Sequence, residues 1–186
     1  MPKLIILDRD GVINKDSPDY IKSADEWEPL PGSLEAITRL NSAGYKVVIA
    51  SNQSGIGRGY FTMDHLADMH AKMRQLLAEK GGVIDAIFIC PHKPEDNCSC
   101  RKPAPGMFEE IKQRYKLERT SDIYAIGDSL RDLQAAAKVG FKPWLVLTGN
   151  GEKTRQDPAF DKDIPISDNL AAVVNNLLNQ SKVALN

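Results

Sequence analysis

LIILDRDGVIN, residues 4–14, sets an unbroken apolar run against two aspartates one residue apart and a glycine. A continuous run such as Leu4–Leu7 suits a strand buried on both faces, as in a parallel sheet, better than one with a solvated side. Asp8 and Asp10 therefore stand where that strand ends. In open parallel sheets, ligands bind beyond the carboxyl ends of strands, so the two carboxylates are candidates for chemistry if the rest of the chain supplies such a sheet.

Working outward, the chain does supply one. Pro31 and Gly32 open a helix with Leu34, Ile37 and Leu40 at spacings of three, and Gly44 stops it. Tyr45–Ala50 is the next strand, running into the polar, glycine-rich SNQSGIGRG. Thr62 caps a long helix that carries Leu66, Met69, Met73, Leu76 and Leu77 on one face and ends at Gly81 and Gly82. Ile84–Cys90 is a third strand, and Pro105 opens a helix through Met107, Phe108 and Ile111. Ile123–Ile126 is a fourth strand, closed by GDSLRD, with a helix over Leu130–Val139. Trp144–Leu147 is a fifth, Ile164–Ile166 a short sixth, and Leu170–Leu178 the last helix. Thr148–Asp163 reads as loop with room for one helical turn, and the tail from Gln180 to Asn186 as frayed. Strands separated by helices predict a mostly parallel, Rossmann-like sheet covered on both faces, a three-layer α/β/α sandwich. No linker marks off a second domain, so residues 1–186 are read as one.

Composition narrows the function. With 186 residues, 42% hydrophobic and 26% charged, the chain is ordinary for a globular domain. A formal net charge of -1 gives nucleic acid no general attraction and leaves room for a local anion site. No stretch approaches the roughly 18–20 apolar residues of a membrane span, and the apolar run after Lys3 is too short for a signal peptide. The default expectations are a cytoplasmic protein, no membrane or nucleic-acid partner, and a monomer.

Four polar groups share the address beyond the strand ends: Asp8 with Asp10, Ser51 with Asn52, Arg101 with Lys102, and Asp128 with Asp132. Two close carboxylates repel, and one rises in pKa unless a cation compensates. A hard divalent ion, Mg2+, held together with Asp128, supplies that compensation and favours a phosphate as a further ligand. Ser51 offers a hydroxyl, the N–H groups near Gly55 and Gly57 offer a nest, Lys102 offers charge, and Arg101 a bidentate grip. Together they describe phosphoryl transfer in which one carboxylate attacks phosphorus and the other protonates the leaving oxygen. Arg58, near the proposed phosphate, is placed to meet a second anionic group of the substrate. Asp132 admits two readings, a helix N-terminal carboxylate favoured by the dipole or support for the metal.

All three cysteines fall within eleven residues, too few and too clustered for a disulfide framework. Cys90 and His92, followed after five residues by Cys98 and Cys100, make a Cys3His set for tetrahedral Zn2+. With no open position, the site at 90–100 reads as structural, ordering the loop that leads into Arg101 and Lys102. His65 and His70 are five apart on their helix, point in different directions and carry no metal reading. Trp27 reads as a packed loop anchor.

Four segments carry a family resemblance: LDRDGVIN (7–14), SNQSGIGRGYF (51–61), CPHKPEDNCSCRKPAPGMF (90–108) and GDSLRDLQAA (127–136). Through them the chain resembles the haloacid-dehalogenase-like (HAD-like) phosphatases, and among these the D-glycero-D-manno-heptose-1,7-bisphosphate 7-phosphatases. The resemblance implies a HAD-like fold without a large cap domain. It also implies Asp8 as nucleophile and metal ligand, Asp10 as general acid/base meeting the metal through its backbone carbonyl, and Asp128 as the remaining ligand. Ser51 and Lys102 would bind the transferring phosphoryl group, and Asn52, Arg58 and Arg101 the substrate. The implied reaction releases the C7 phosphate through an aspartyl-phosphate, leaving heptose 1-phosphate for nucleotide-sugar and lipopolysaccharide synthesis. Ser129 departs from the pattern of members that carry lysine there, and the loop between the cysteine pairs is short. The competing readings are histidinol-phosphate phosphatase, whose substrate has less use for Arg58 and Arg101, and a catalytically silent, zinc-stabilised phosphosugar-binding module.

Overall fold

The structure, a computed structural model, describes residues 3–183, with side chains described as far as Asn179. Its strands are β1 (Lys3–Leu7), β2 (Tyr45–Asn52), β3 (Ala86–Cys90), β4 (Tyr124–Gly127), β5 (Lys142–Val146) and β6 (Ile166–Ser167). They form one parallel sheet in the order β3-β2-β1-β4-β5-β6. Its helices are α1 (Ser33–Ser42), α2 (Ser54–Gly57), α3 (Met63–Ala78), α4 (Gly106–Arg114), α5 (Leu130–Lys138), α6 (Gly151–Arg155) and α7 (Leu170–Val183).

Side-chain alternation along β1 divides the interior into two cores. Ile5 and Leu7 pack with Leu34 and Ile37 of α1, Leu66 and Met69 of α3, and Val173 and Val174 of α7. Leu4 and Ile6 pack with Met107, Phe108 and Ile111 of α4 and with Ala135 and Ala136 of α5. The result is the expected three-layer sandwich, in which each buried aliphatic of β1 contributes about 1.5–3 kcal/mol. From β1 the chain winds outward to β2 and β3, then returns to β4 on the other side of β1. The strand order therefore reverses between β1 and β4, the crevice where open sheets bind ligands.

Local signals account for most boundaries. Thr62 Oγ1 accepts from His65 N, and His65 Nδ1 accepts from Thr62 N, both at 3.3 Å, so His65 caps α3. Trp27 is fully buried, and Lys72 Nζ of α3 donates to Ala24 O and Trp27 O at 2.6 and 2.9 Å, pinning the 15–30 segment to the body. The differences from the sequence reading lie in the polar stretches. SNQSGIGRG contains the short helix α2, and Thr148–Asp163 contains α6. The third strand begins later, at Ala86, and β6 is Ile166–Ser167, fixed by pairing with Leu145 and Val146. The final helix continues through Val183 where fraying was expected, and the last three residues of that tail lie outside the described residues. Among the described residues no helix is long and apolar enough to cross a membrane.

Candidate active site

The site sits at the β1/β4 switch. Asp8 N donates to Ile126 O at 2.9 Å, which stitches the end of β1 to β4. Beyond that stitch the backbone turns sharply: Arg9 O accepts from the N–H groups of Val12, Ile13 and Asn14 at 2.8–3.3 Å. Gly11 adopts φ +81, and a Cβ there would overlap Asp128 Oδ2, so glycine is required both by conformation and by space.

Three buried carboxylates, from Asp8, Asp128 and Asp132, bring oxygens within 4.8 Å of one another. Lys102, itself buried, bridges two of them, with Nζ 3.1 Å from Asp8 Oδ1 and 2.7 Å from Asp132 Oδ1, and donates to Ala50 O at 2.7 Å. Asp132 Oδ2 also accepts from Ser129 N and Oγ at 3.0 and 2.6 Å. Asp132 thus closes the first turn of α5, as the helix-terminal reading has it, and the same side chain holds the lysine. Burial opposes its ionisation, but Lys102 and Arg131 outweigh that and keep its pKa below the ordinary value.

Asp8 shares Lys102 without being fully compensated by it, and Asp128 has no ion pair among the described residues. Burial, opposed by Lys102 and aided by Asp132 and Asp10, raises Asp8 to about 7. Burial, aided by Asp132 and Asp8, raises Asp128 to about 8, although Asn150 N donates to its Oδ2 at 2.7 Å. A buried acidic pair short of positive charge, with oxygens clustered at this separation, fits a hard divalent cation.

The Asp10 carboxylate stands outside this cluster, unlike the paired-carboxylate reading, while the backbone-carbonyl contact that the resemblance implies does not depend on it. That carboxylate is turned aside to four donors: Arg9 Nη2 at 2.8 and 3.1 Å, Arg9 Nε at 3.2 Å, Asn14 Nδ2 at 2.9 Å and Gln53 Nε2 at 2.8 Å. Burial would raise its pKa, but the Arg9 charge and these hydrogen bonds hold it below the usual range. The physical reason is the turn after Arg9, which breaks strand alternation before it reaches Asp10. By contrast Asp8 Oδ1 accepts from Arg9 N at 2.7 Å and meets Lys102, while Oδ2 has no hydrogen-bond donor among the described residues.

Of the other expected residues, Asn52, Arg58 and Arg101 line the same cavity as Asp8 and Asp10, of about 300 Å3, with two refinements. Asn52 holds the Lys102 backbone, donating to its carbonyl at 3.0 Å and accepting from its N–H at 3.1 Å, so its amide positions the lysine. The Gly57 N–H belongs to Pro91 O at 2.9 Å and is lost to the expected anion nest. Ser51 Oγ is buried and accepts from Gln53 Nε2 at 2.8 Å. Arg58, 3.7 Å from Glu95, and Arg101, donating to His92 O at 3.3 Å, both line the cavity. Sequence reasoning missed Gln53, Asn150 and Arg131, of which Arg131 carried a signal through its place inside GDSLRD.

Behind Arg101 and Lys102, Cys90, His92, Cys98 and Cys100 bring one ligand atom each within 4.8 Å of the rest. The Sγ–Sγ separations are 3.2–3.6 Å and the Nδ1–Sγ separations 3.3 and 3.7 Å. Bonds of about 2.3 Å to sulfur and about 2.0–2.1 Å to nitrogen, set tetrahedrally, give edges of about 3.5–3.8 Å, so this donor set can close around one metal ion. His70 belongs to neither cluster. Its Nε2 lies 3.5 Å from Arg9 Nη1, and burial with the Arg9 charge lowers its pKa to about 4.

The haloacid dehalogenase-like hydrolase family model matches residues 8–140, which covers both ends of the carboxylate cluster. The chain belongs to the haloacid dehalogenase-like hydrolases. Within the HAD-like hydrolases it is 54% identical over 179 residues to D-glycero-beta-D-manno-heptose-1,7-bisphosphate 7-phosphatase of Bordetella bronchiseptica, covering 96% of this chain and 99% of that one. The Pseudomonas aeruginosa enzyme of the same name is 52% identical over 175 residues, 94% of this chain and 97% of that one. The crystal structure of the B. bronchiseptica D,D-heptose 1,7-bisphosphate phosphatase, complexed with magnesium and phosphate, superposes with a TM-score of 0.93 over 96% of this chain and 99% of that chain. The corresponding Burkholderia thailandensis structure, 47% identical over 95% and 98% of the two chains, gives 0.76.

Proposed function

We propose that this HAD-like hydrolase is a Mg2+-dependent phosphatase that removes the C7 phosphate of D-glycero-D-manno-heptose 1,7-bisphosphate. The observation that carries the reading is Lys102 Nζ sitting between Asp8 and Asp132, at 3.1 and 2.7 Å, beside an uncompensated Asp128. High identity to enzymes of that name supplies the substrate.

Mg2+, held by Asp8 and Asp128, would neutralise the transferring phosphoryl group as charge develops on it. Asp8 attacks phosphorus through Oδ2, the carboxylate oxygen free of donors, to form an aspartyl-phosphate. Its other oxygen is fixed by Arg9 N and Lys102, so the nucleophile is oriented before substrate arrives. Lys102 and the Ser51 hydroxyl face the phosphoryl oxygens, with Asn52 holding the lysine loop and Asp132 the ammonium. Asp10, oriented by Arg9, Asn14 and Gln53, gives a proton to the leaving C7 oxygen from its neutral acid form, becomes the carboxylate, and then takes a proton from the attacking water. The depressed pKa of Asp10 favours the second of these roles. Arg58 and Arg101 meet the sugar end of the substrate.

Cys90, His92, Cys98 and Cys100 hold Zn2+ and brace the loop that delivers Arg101 and Lys102. The donor set is closed and lies behind the cavity, which supports a structural role.

The test compares kcat/KM on heptose 1,7-bisphosphate and on histidinol phosphate, with and without Mg2+, in wild type and in Asp8→Asn. The reading requires preference for the bisphosphate, Mg2+ dependence, and a loss in Asp8→Asn of at least about 1,000-fold. A preference for histidinol phosphate, or near wild-type turnover by Asp8→Asn, refutes it.

A further inference from the structure

Of the three arginines that line the catalytic cavity, Arg58 faces Glu95 at 3.7 Å and Arg101 donates to His92 O at 3.3 Å. The third, Arg131, makes no hydrogen bond or ion pair with any described residue. It is the second residue of α5, in the helix's first turn, where the macrodipole disfavours a cation by about 0.3–1 kcal/mol. Asp10 and Asp132 have nearer cations in Arg9 and Lys102, whereas Asp128 pairs with no cation among the described residues. Asp16, on the same cavity wall, accepts from Ser17 N at 2.8 Å and from Asn150 Nδ2 at 3.0 Å. Local structure thus gives Arg131 no hydrogen-bonded partner; the carboxylates of Asp132, Asp8, Asp128 and Asp16 attract it only through space, which leaves its guanidinium donors open to the cavity.

Arg101 and Arg131 repel each other, enough to lower the Arg101 pKa in concert with burial, and both open onto the cavity that holds Asp8. Two guanidiniums facing one solvent-filled space form a fork-like receptor for a tetrahedral dianion. The transferring phosphoryl group belongs to Lys102, Ser51 and the metal, beside Asp8. We propose that Arg131 is a specificity-determining residue that binds the phosphate the enzyme does not cleave. Resting on the bisphosphatase reading above, this makes Arg131 the partner of Arg101 across the distal end of the substrate, and ties substrate choice to the helix that carries Asp132.

The experiment measures kcat/KM for heptose 1,7-bisphosphate and for heptose 7-phosphate, which lacks only the distal group, in wild type, Arg131→Gln and Arg131→Lys. Loss of a charge-assisted bidentate contact lowers the bisphosphate-to-monophosphate ratio by about 10–100-fold in Arg131→Gln, mainly through KM, with partial recovery in Arg131→Lys. A purely structural or metal-directed role would depress both substrates alike and leave the ratio unchanged, which overturns the proposal. If the wild type cleaves heptose 7-phosphate but not the bisphosphate, the functional reading fails and this assignment with it. If the wild type prefers the bisphosphate and Arg131→Gln keeps that preference, only the assignment of Arg131 falls.

Discussion

Mg2+ affinity is expected to depend steeply on pH, with protons as the competing ligands. In the metal-free protein Asp8 is raised by burial from 3.8 to about 7, and Asp128 from 3.8 to about 8. A divalent ion binds the ionised forms, so below each pKa it must displace a proton. Between pH 8 and pH 6 that competition weakens binding through both carboxyls, which take up protons in this range. Because the two acids interact, the combined effect is on the order of 100-fold, or about 3 kcal/mol at 1.36 kcal/mol per decade. Ordinary carboxyls near 3.8 would change binding by a few per cent over the same range. Titration calorimetry with Mg2+ in pairs of buffers of different ionisation heat reads both the affinity and the protons released. Stability of the metal-free protein runs the other way. Between the unfolded value and these raised folded values the native state binds more protons than the unfolded state, so stability falls as pH rises from about 4 to about 8. Added Mg2+ should restore it most at the upper end. A dissociation constant that changes less than about threefold from pH 8 to pH 6, with no proton release, refutes the account of an uncompensated acidic pair.

Replacing Gly11, held at φ +81 against Asp128 Oδ2, by alanine should cost about 2–3 kcal/mol in urea unfolding and weaken Mg2+ binding, since either the turn or Asp128 must move. Arg9→Met leaves the Asp10 carboxylate without its cation in the interior, so a loss of about 3–5 kcal/mol is expected by the same assay, and a loss under about 1 kcal/mol would show the pair to be dispensable. Cys98→Ser should release zinc to a chromogenic chelator, expose the Arg101–Lys102 bond to trypsin, and lower turnover about 10–100-fold by loosening the loop into Lys102. Wild-type protein that is fully active yet holds no zinc by elemental analysis would remove the structural metal from the reading.

The sheet was legible because its signal is redundant. Leu4–Leu7, Tyr45–Ala50 and Ile123–Ile126 are apolar on both faces, and a run of that kind has few ways to be buried other than between two helix layers. The strand ends fixed the address of the chemistry, so Asp8, Asp128, Lys102 and Ser51 could be grouped before any coordinates existed. Arg131 lies in a helix that the sequence already placed, whereas Gln53 and Asn150 were hidden for a different reason. Their positions depend on where short polar helices begin, and in SNQSGIGRG and Thr148–Asp163 the apolar pattern is too sparse to set a phase.

The unequal fates of the two neighbouring aspartates follow from the same alternation, carried two residues past the end of β1. Leu4 and Ile6 face the α4/α5 layer, and Asp8 continues that parity toward Lys102 and Asp132, which come from the same side. Ile5 and Leu7 face the α1/α3/α7 layer, and Arg9 continues theirs, which carries a full positive charge into the core beside Met69 and His70. A buried arginine needs an anion. Continued alternation would send Asp10 after Asp8 into the metal cluster, adding a further carboxylate to a group already short of positive charge. Instead the turn closed by Arg9 O swings Asp10 back onto Arg9, where the charge that strand geometry forced inward finds its partner. One arginine between two aspartates thereby separates them chemically, leaving Asp8 with a carboxylate oxygen free to attack and holding Asp10 oriented for proton transfer.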